Sequence, residues 1–273
     1  MRSEVSIRPT AVAGMFYPAS ALALTREIEA LLAATPPVAA NSAVPKALIV
    51  PHAGYIYSGS VAASAYAALA PARKCIRRVV LLGPAHRVAL SGLALPQATA
   101  FATPLGTVFL DAELSAAALA LPQVTQSDLA HQQEHSLEVQ LPFLQTMLDE
   151  FTLLPIIVGE ATAQDVAELL DRVWGGPETL IVISSDLSHY HAYSDAQRLD
   201  SATARTILTL SPLADFRQAC GATPVNGLLS CARKRALVPR LIALRNSGDA
   251  AGDMARVVGY GAFAFNENPD HAR

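Results

Sequence analysis

The chain has 273 residues, 52% of them hydrophobic and 16% charged, and carries a net charge of -3. That balance excludes a disordered chain, and the lack of any Lys/Arg cluster beyond the short runs Arg73-Lys74 to Arg77-Arg78 and Arg233-Lys234-Arg235 argues against nucleic acid as the main partner. Three widely spaced cysteines, Cys75, Cys220 and Cys231, form no disulfide framework and the first residues lack a signal peptide's apolar core, so a reducing cytoplasm is the expected location.

In chain order, Ser20 is placed to cap a helix reaching about Ala34, Pro36-Pro37 ends it, and residues 38–45 read as a surface linker. The apolar run Leu48-Ile49-Val50 predicts a buried strand at 46–50 that stops at Pro51-His52, followed by a helix from about Gly59 to Ala70. Arg78-Val79-Val80-Leu81-Leu82 repeats the pattern and ends in Gly83-Pro84-Ala85-His86. The charge-free run Val88 to Phe109 has the length of a membrane span, but Gly92, Pro96, Pro104 and Gly106 divide it. It reads as short strands at 91–95 and 107–110 flanking a turn at 103–106. Asp111 then caps an Ala-rich helix to about Leu121.

Leucines at helical spacing predict one helix from His131 to about Glu150, kinked at Pro142. Thr152 to Val158 is a strand, 162–174 a helix, and Leu180-Ile181-Val182-Ile183 a further buried strand that runs into Ser184-Ser185-Asp186-Leu187-Ser188-His189. Helices are expected at about 194–210 and 224–237, with Cys220-Gly221 at the junction between two helical pieces. The tail reads as strands at 240–245 and 256–265 around the turn Asn246-Ser247-Gly248-Asp249, a pairing that is ordinarily antiparallel. The expected architecture is one domain over residues 1–273, a three-layer α/β/α sandwich with a mixed, mostly parallel central sheet.

Three strand ends thus carry His52, His86 and the pair Asp186/His189 to one sheet edge, where open α/β sheets bind ligands. Two neutral imidazoles and a thiolate make a facial metal set, with Cys220 as the candidate third ligand beside His52 and His86. The alternative is three loop histidines, each satisfied separately. His131-Gln132-Gln133-Glu134-His135 also matches the H-x-x-E-H pattern of zinc peptidases, with no third ligand evident. Glu134 and His135 read alternatively as residues leaning into the cleft. No Gly-rich phosphate loop is present, so no nucleotide cofactor is expected, and Ser184-Ser185 lacks the G-x-S-x-G elbow of a serine hydrolase.

Together, Pro51-His52-Ala53-Gly54-Tyr55, Gly83-Pro84-Ala85-His86, Glu134-His135-Ser136-Leu137-Glu138, Ser184-Ser185-Asp186-Leu187-Ser188-His189 and Cys220-Gly221 resemble the Memo-like family, whose prokaryotic members are called AmmeMemoRadiSam system protein B. The resemblance implies a fold similar to the LigB-type extradiol dioxygenases, which use non-haem Fe(II). It matches His52, His86 and Cys220 to the metal positions and His189 to the acid/base histidine. Asp186 is then expected to orient His189 or a ligand, and Glu134, His135 and Tyr55 to line the cleft. The dioxygenases place a glutamate where this chain has Cys220, and a softer thiolate admits copper as well as iron, with zinc ranked below both. Family context implies an AMMECR-type protein and a radical SAM protein as partners. The redox and peptide-binding roles of animal relatives imply either an oxidoreductase acting on an unidentified small molecule or a module that holds a peptide in the same cleft.

Overall fold

Local rules account for most elements. Strand β1 (Ile7–Arg8) precedes helix α1 (Ala21–Ala33), capped by Ser20, and β2 (Ala47–Val50) leads through Gly54 into α2 (Tyr55–Ala67). Next come β3 (Arg78–Pro84), β4 (Leu93–Leu95), β5 (Ala100–Thr103), β6 (Gly106–Phe109), α3 (Ala112–Leu119) capped by the Asp111 carboxylate, β7 (Val124–Gln126) and α4 (Asp128–Gln132). The second half runs α5 (Leu141–Met147), β8 (Thr152–Val158), α6 (Ala163–Val173), β9 (Thr179–Ser184), β10 (His189–His191) and α7 (Tyr193–Leu208). It closes with α8 (Ala222–Lys234), β11 (Val238–Asn246), α9 (Gly248–Ala251) and β12 (Val257–Asn266). Helix α6 opens with a reciprocal box in which Thr162 and Asp165 satisfy each other's backbone N–H groups. This computed structural model describes residues 5–37, 43–251 and 253–268, so most of the linker expected at 38–45 lies outside the described residues.

The main sheet is mixed, in the order β10-β12-β2-β9-β3-β8-β4-β7, with β11 paired to β12. Its centre, β2-β9-β3-β8, is parallel, while β12 runs antiparallel to both β2 and β11. Side chains alternate across it: Leu48, Val50, Val79 and Leu81 pack into one core with Leu24 and Ile28 of α1 and Val61 of α2. Ala47, Ile49, Val80 and Leu82 pack into the other with Leu169 of α6, Ile207 of α7 and Leu228 of α8. Helices therefore cover both faces, as expected. Each fully buried Val, Leu or Ile contributes about 1.5–3 kcal/mol, so a one-residue register slip is strongly disfavoured. Because β2, β9 and β3 are parallel neighbours, the residues following all three emerge at one edge.

Several details differ from the sequence reading. Helix α2 begins at Tyr55 and not Gly59, since Gly54 already turns the chain. Strand β6 pairs with β5 in a separate three-stranded sheet, and β4 joins the main sheet instead of flanking that turn. No helix of the described residues is long and apolar enough to cross a membrane, and the uncharged run 88–109 is strands and turns. The helix expected over 131–150 breaks after Gln132 and resumes only as a 3-10 turn at Glu138–Gln140 and as α5. There the Glu134 carboxylate accepts the N–H groups of His135 and Ser136, so the side chain competes with helical hydrogen bonding. Pro142 starts α5, where its missing N–H is harmless, and does not kink a longer helix. The β11–β12 connection is a ten-residue excursion, 247–256, containing α9, and not a tight turn.

Candidate metal centre and cleft

The sheet edge brings His52, His86 and Cys220 together: one ligand atom from each lies within 4.8 Å of the other two. His52 Nε2 is 3.3 Å from Cys220 Sγ, and the His52 and His86 rings meet edge-on at 5.1 Å between centroids. Cys220 reaches this point because Gly221 lets the start of α8 press on the end of β9. A Cβ at Gly221 would come 2.8 Å from Ser185 Cβ.

The hydrogen bonds fix which nitrogen of each ring faces the common point. Ser184 Oγ donates to Ser136 O at 2.5 Å and accepts from Gln140 Nε2 at 2.8 Å, so its only hydrogen is spent. Its 3.0 Å contact with His52 Nδ1 is therefore an N–H donated by the imidazole, which leaves Nε2 with its lone pair aimed toward the sulfur. Burial, reinforced by His86, His135 and His189 nearby, holds His52 well below the usual imidazole range, so the ring is neutral.

Glu134 performs the same service for His86. Burial pushes its carboxyl up, but hydrogen bonds from the His86 ring, the His86 N–H and the Ser136 N–H prevail and hold it down to about 2. The resulting carboxylate can only accept, so His86 Nδ1–H donates to Glu134 Oε1 at 2.9 Å and Nε2 is left for a ligand. The 2.6 Å bond from the His86 N–H to Oε2 fixes the backbone as well. His135 stacks on His86 at 4.8 Å, and burial lowers its pKa to about 4, keeping it neutral.

Around Cys220, the Asp186 N–H donates to Sγ at 3.3 Å. Although Cys220 retains some accessible surface, its thiol is crowded by protein, and desolvation together with the nearby Asp186 pushes its pKa up to about 12. Without a cation this cysteine is a thiol; a metal ion reverses that preference by stabilising the thiolate. Ligand atoms sharing a metal at about 2.0–2.3 Å sit roughly 3–4 Å apart, and the His52–Cys220 separation falls within that range. A neutral His52 with an unspent lone pair, a His86 ring held through Nδ1 by Glu134, and a thiol at this spacing fit a soft or borderline divalent metal.

A cavity of about 690 Å³ lies beside this point, lined by His52, His86, His135, Asp186 and His189 among others, while Cys220 lines a separate cavity of about 340 Å³. His189 Nδ1–H donates to the Leu187 carbonyl at 2.8 Å, so Nε2 is its working nitrogen. Asp186 does not orient His189. Its Oδ1 accepts the His52 backbone N–H at 2.7 Å, because the turn after β9 packs against the turn after β2. Tyr55 is likewise not a cleft residue: its ring packs on Tyr17 and Phe143 and its hydroxyl donates to Val139 O at 2.7 Å. With the helix starting at Tyr55, Tyr55 and Tyr57 face opposite ways, and Tyr57 lines the cavity.

His131 lies apart. Its Nε2 donates to Ala94 O at 2.9 Å, its ring meets Phe101 edge-on, and among the described residues it joins neither the His52–His86–Cys220 group nor the second metal-competent group, His86–Glu134–His135. With the helix broken after Gln132, His131 and His135 share no face, which removes the zinc-peptidase arrangement.

The Memo-like protein model matches residues 8–264. The chain belongs to the Memo-like family. It is similar to a MEMO1 family protein of Aquifex aeolicus, 36% identical over 95% of this chain and 99% of the relative. It is also similar to MEMO1 family proteins of Aeropyrum pernix, 35% identical over 94% and 99%, and Methanosarcina acetivorans, 36% identical over 94% and 98%. In this Memo-like chain sequence reasoning missed Ser184 and Gln140, which set the His52 tautomer, and also Phe16, Arg87, Tyr190 and Arg256, which line the cleft. Ser184 and Arg87 adjoin motif residues and were within reach. Gln140 lay inside a run read as a continuous helix and Arg256 at the first residue of an expected strand, and nothing in either pattern marked the side chain for the site.

Proposed function

We propose that the protein is a redox protein that holds Fe(II) between His52 Nε2, His86 Nε2 and Cys220 Sγ and acts on a small molecule in the adjoining cleft. The reading rests on one observation above all: the His52 lone pair faces Cys220 Sγ at 3.3 Å with no hydrogen left on the ring's near nitrogen. Bound Fe(II) supplies electron transfer and open coordination positions, and the thiolate admits copper in its place. The chain's own residues do the remainder. His189, held at Nδ1 by Leu187 O, presents Nε2 to take or give a proton to a ligand in the cleft. Asp186 fixes the His52 backbone, and Glu134 holds the His86 ring with its far nitrogen outward. A reducing cytoplasm suits an unpaired thiol of this kind.

Metal analysis of anaerobically purified protein tests the reading, with about one iron per chain expected in the wild type. His52→Ala and Cys220→Ser are expected to lose it while remaining folded, and unchanged iron in both removes the proposal.

A second reading, a module that binds a peptide, is favoured by exposed apolar groups: Tyr190 of the cleft lining is 64% exposed, and Ile56 and Met254, next in sequence to the lining residues Tyr57 and Asp253, are 72% and 52% exposed. Pull-down of the AMMECR-type and radical SAM partners discriminates. Capture that survives a chelator but is lost in cleft variants favours the module, and capture that ignores both points to a surface outside the cleft.

A further inference from the structure

The His52–His86–Cys220 point has a cavity on either side, and among the described residues the two share no lining residue. His52 and His86 line the cleft of about 690 Å³, and Cys220 lines the smaller cavity of about 340 Å³. The segment after β3 divides them: His86 and Arg87 line the cleft, while Pro84, Ala85 and Val88 line the smaller cavity. Cys220 keeps some accessible surface, and the smaller cavity is where that surface opens. A molecule in the cleft therefore meets two imidazoles, and one in the smaller cavity meets the cysteine.

The two cavities also differ in chemistry. Besides its histidines the cleft is lined by Arg87, Asp186, Asp253 and Arg256. In the smaller cavity Glu160 is the one charged residue among those described, and Pro84, Val88, Leu90, Val158, Phe216 and Pro224 supply apolar walls. Backbone donors of these walls are largely spent. Ala85 N–H donates to Val158 O at 2.9 Å, Gly159 N–H to Gly92 O at 3.0 Å and Glu160 N–H to Leu90 O at 2.7 Å. At the start of α8, where an anion would look for N–H groups, Pro224 has none and the Val225 N–H is taken by Gly221 O at 2.9 Å. Such walls solvate an ion poorly and an uncharged molecule well. They are also held in place, since a Cβ at Gly159 would come 2.1 Å from Leu90 O, an approach that only glycine permits. Phe216 lines the cavity and is 73% exposed, which puts it at the mouth, on a segment tied to α8 by the reciprocal bonds of Asn226 with Leu213.

We infer that the smaller cavity is a second entrance, through which small uncharged molecules reach the Cys220 side of the site without passing the cleft. The inference deepens the proposed function by giving its site a separate route for a neutral co-reactant. It rests on the grouping of His52, His86 and Cys220 and not on which metal they hold.

Thiol labelling of the full chain, treated with a chelator so that the sulfur is free to react, tests it. The probes are neutral methyl methanethiosulfonate and its anionic 2-sulfonatoethyl analogue, with each site followed by peptide mass spectrometry. Cys75 is exposed and Cys231 buried, so the two serve as references within every sample. The expected result is that Cys220 reacts faster than Cys231, and that its rate relative to Cys75 is about tenfold or more higher with the neutral probe, the size of the cost of bringing a charge past apolar walls. Thr223→Phe and Ala89→Trp place bulk in the lining and are expected to slow neutral labelling about tenfold, since access then waits on local opening. Phe216→Ala opens the mouth and should speed it, whereas Tyr57→Ala, which widens the cleft, should leave it unchanged. Protection of Cys231 in each variant shows that the fold is intact. Cys220 labelling no faster than that of Cys231, equal relative rates for the two probes, or rates that follow Tyr57→Ala and ignore both filling variants overturns the inference. Iron content measured before chelation keeps the two readings apart: this labelling pattern in a protein purified without iron sinks only the iron proposal, and an iron protein lacking the pattern sinks only the second entrance.

Discussion

Glu134 and Glu138 are four residues apart, both buried, and put to opposite uses. Glu138 takes Arg8 Nη1 at 2.5 Å, the N–H groups of Ala11 and Val12 at 2.7 and 3.0 Å, and the Tyr17 hydroxyl at 2.6 Å. Arg8 in turn donates to the carbonyls of His131 and Glu134. Burial beside Glu138 drives Tyr17 far above the ordinary phenol range, so it stays a donor. Each of those donors ends on a protein acceptor, and the cluster's product is the anchoring of the N-terminal arm over the core. Glu134 also takes four N–H donors, yet one of them belongs to an imidazole whose other nitrogen points outward to the His52–Cys220 site. A closed cluster fastens the fold, whereas one with coordinating capacity left over is a place for a ligand.

The largest effects should come from breaking each cluster in turn. Glu138→Ala leaves the Arg8 guanidinium buried without its anion and is expected to lower unfolding free energy by about 3–5 kcal/mol in urea titrations. Iron per folded chain should be unchanged. Glu134→Gln is expected to lose about 10–100-fold in metal affinity with a smaller loss of stability, since the amide keeps an acceptor but no longer holds the His86 ring as firmly. If the two variants exchange these phenotypes, the contrast is wrong.

A somewhat smaller effect is expected from pH, and it belongs to the closed side. Burial, slightly offset by the bond to Ala94 O, lowers the His131 pKa from 6.5 to about 4. A depressed histidine contributes stability that is present above its unfolded pKa and is lost as pH falls through 6.5 toward 4. The loss is on the order of 3 kcal/mol. Urea midpoints of wild type and His131→Asn between pH 7 and 4 check it: the wild type should lose more on acidification, and parallel curves contradict the assignment.

How much of this was legible follows from what each signal depends on. The apolar runs ending at Val50, Leu82 and Ile183 are signals of local composition, and they placed the strand ends and therefore His52, His86 and the Asp186–His189 turn. The break at 133–137 was not legible, because leucine spacing continues through a segment whose backbone is claimed by the Glu134 carboxylate. Tyr55 was misplaced for a related reason. Its side depends on where α2 begins, and Gly54 starts it four residues before the expected position. The excursion 247–256 carries Asp253 and Arg256 to the cleft through contacts that no periodicity encodes.

The measurement closest to the central claim is X-ray absorption at the iron edge of anaerobically loaded protein, with Cys220→Ser beside it. A sulfur scatterer at about 2.3 Å together with nitrogen scatterers near 2.1 Å in the wild type, the sulfur vanishing in Cys220→Ser, is the predicted result. An iron shell of nitrogen and oxygen alone, identical in both proteins, would contradict it.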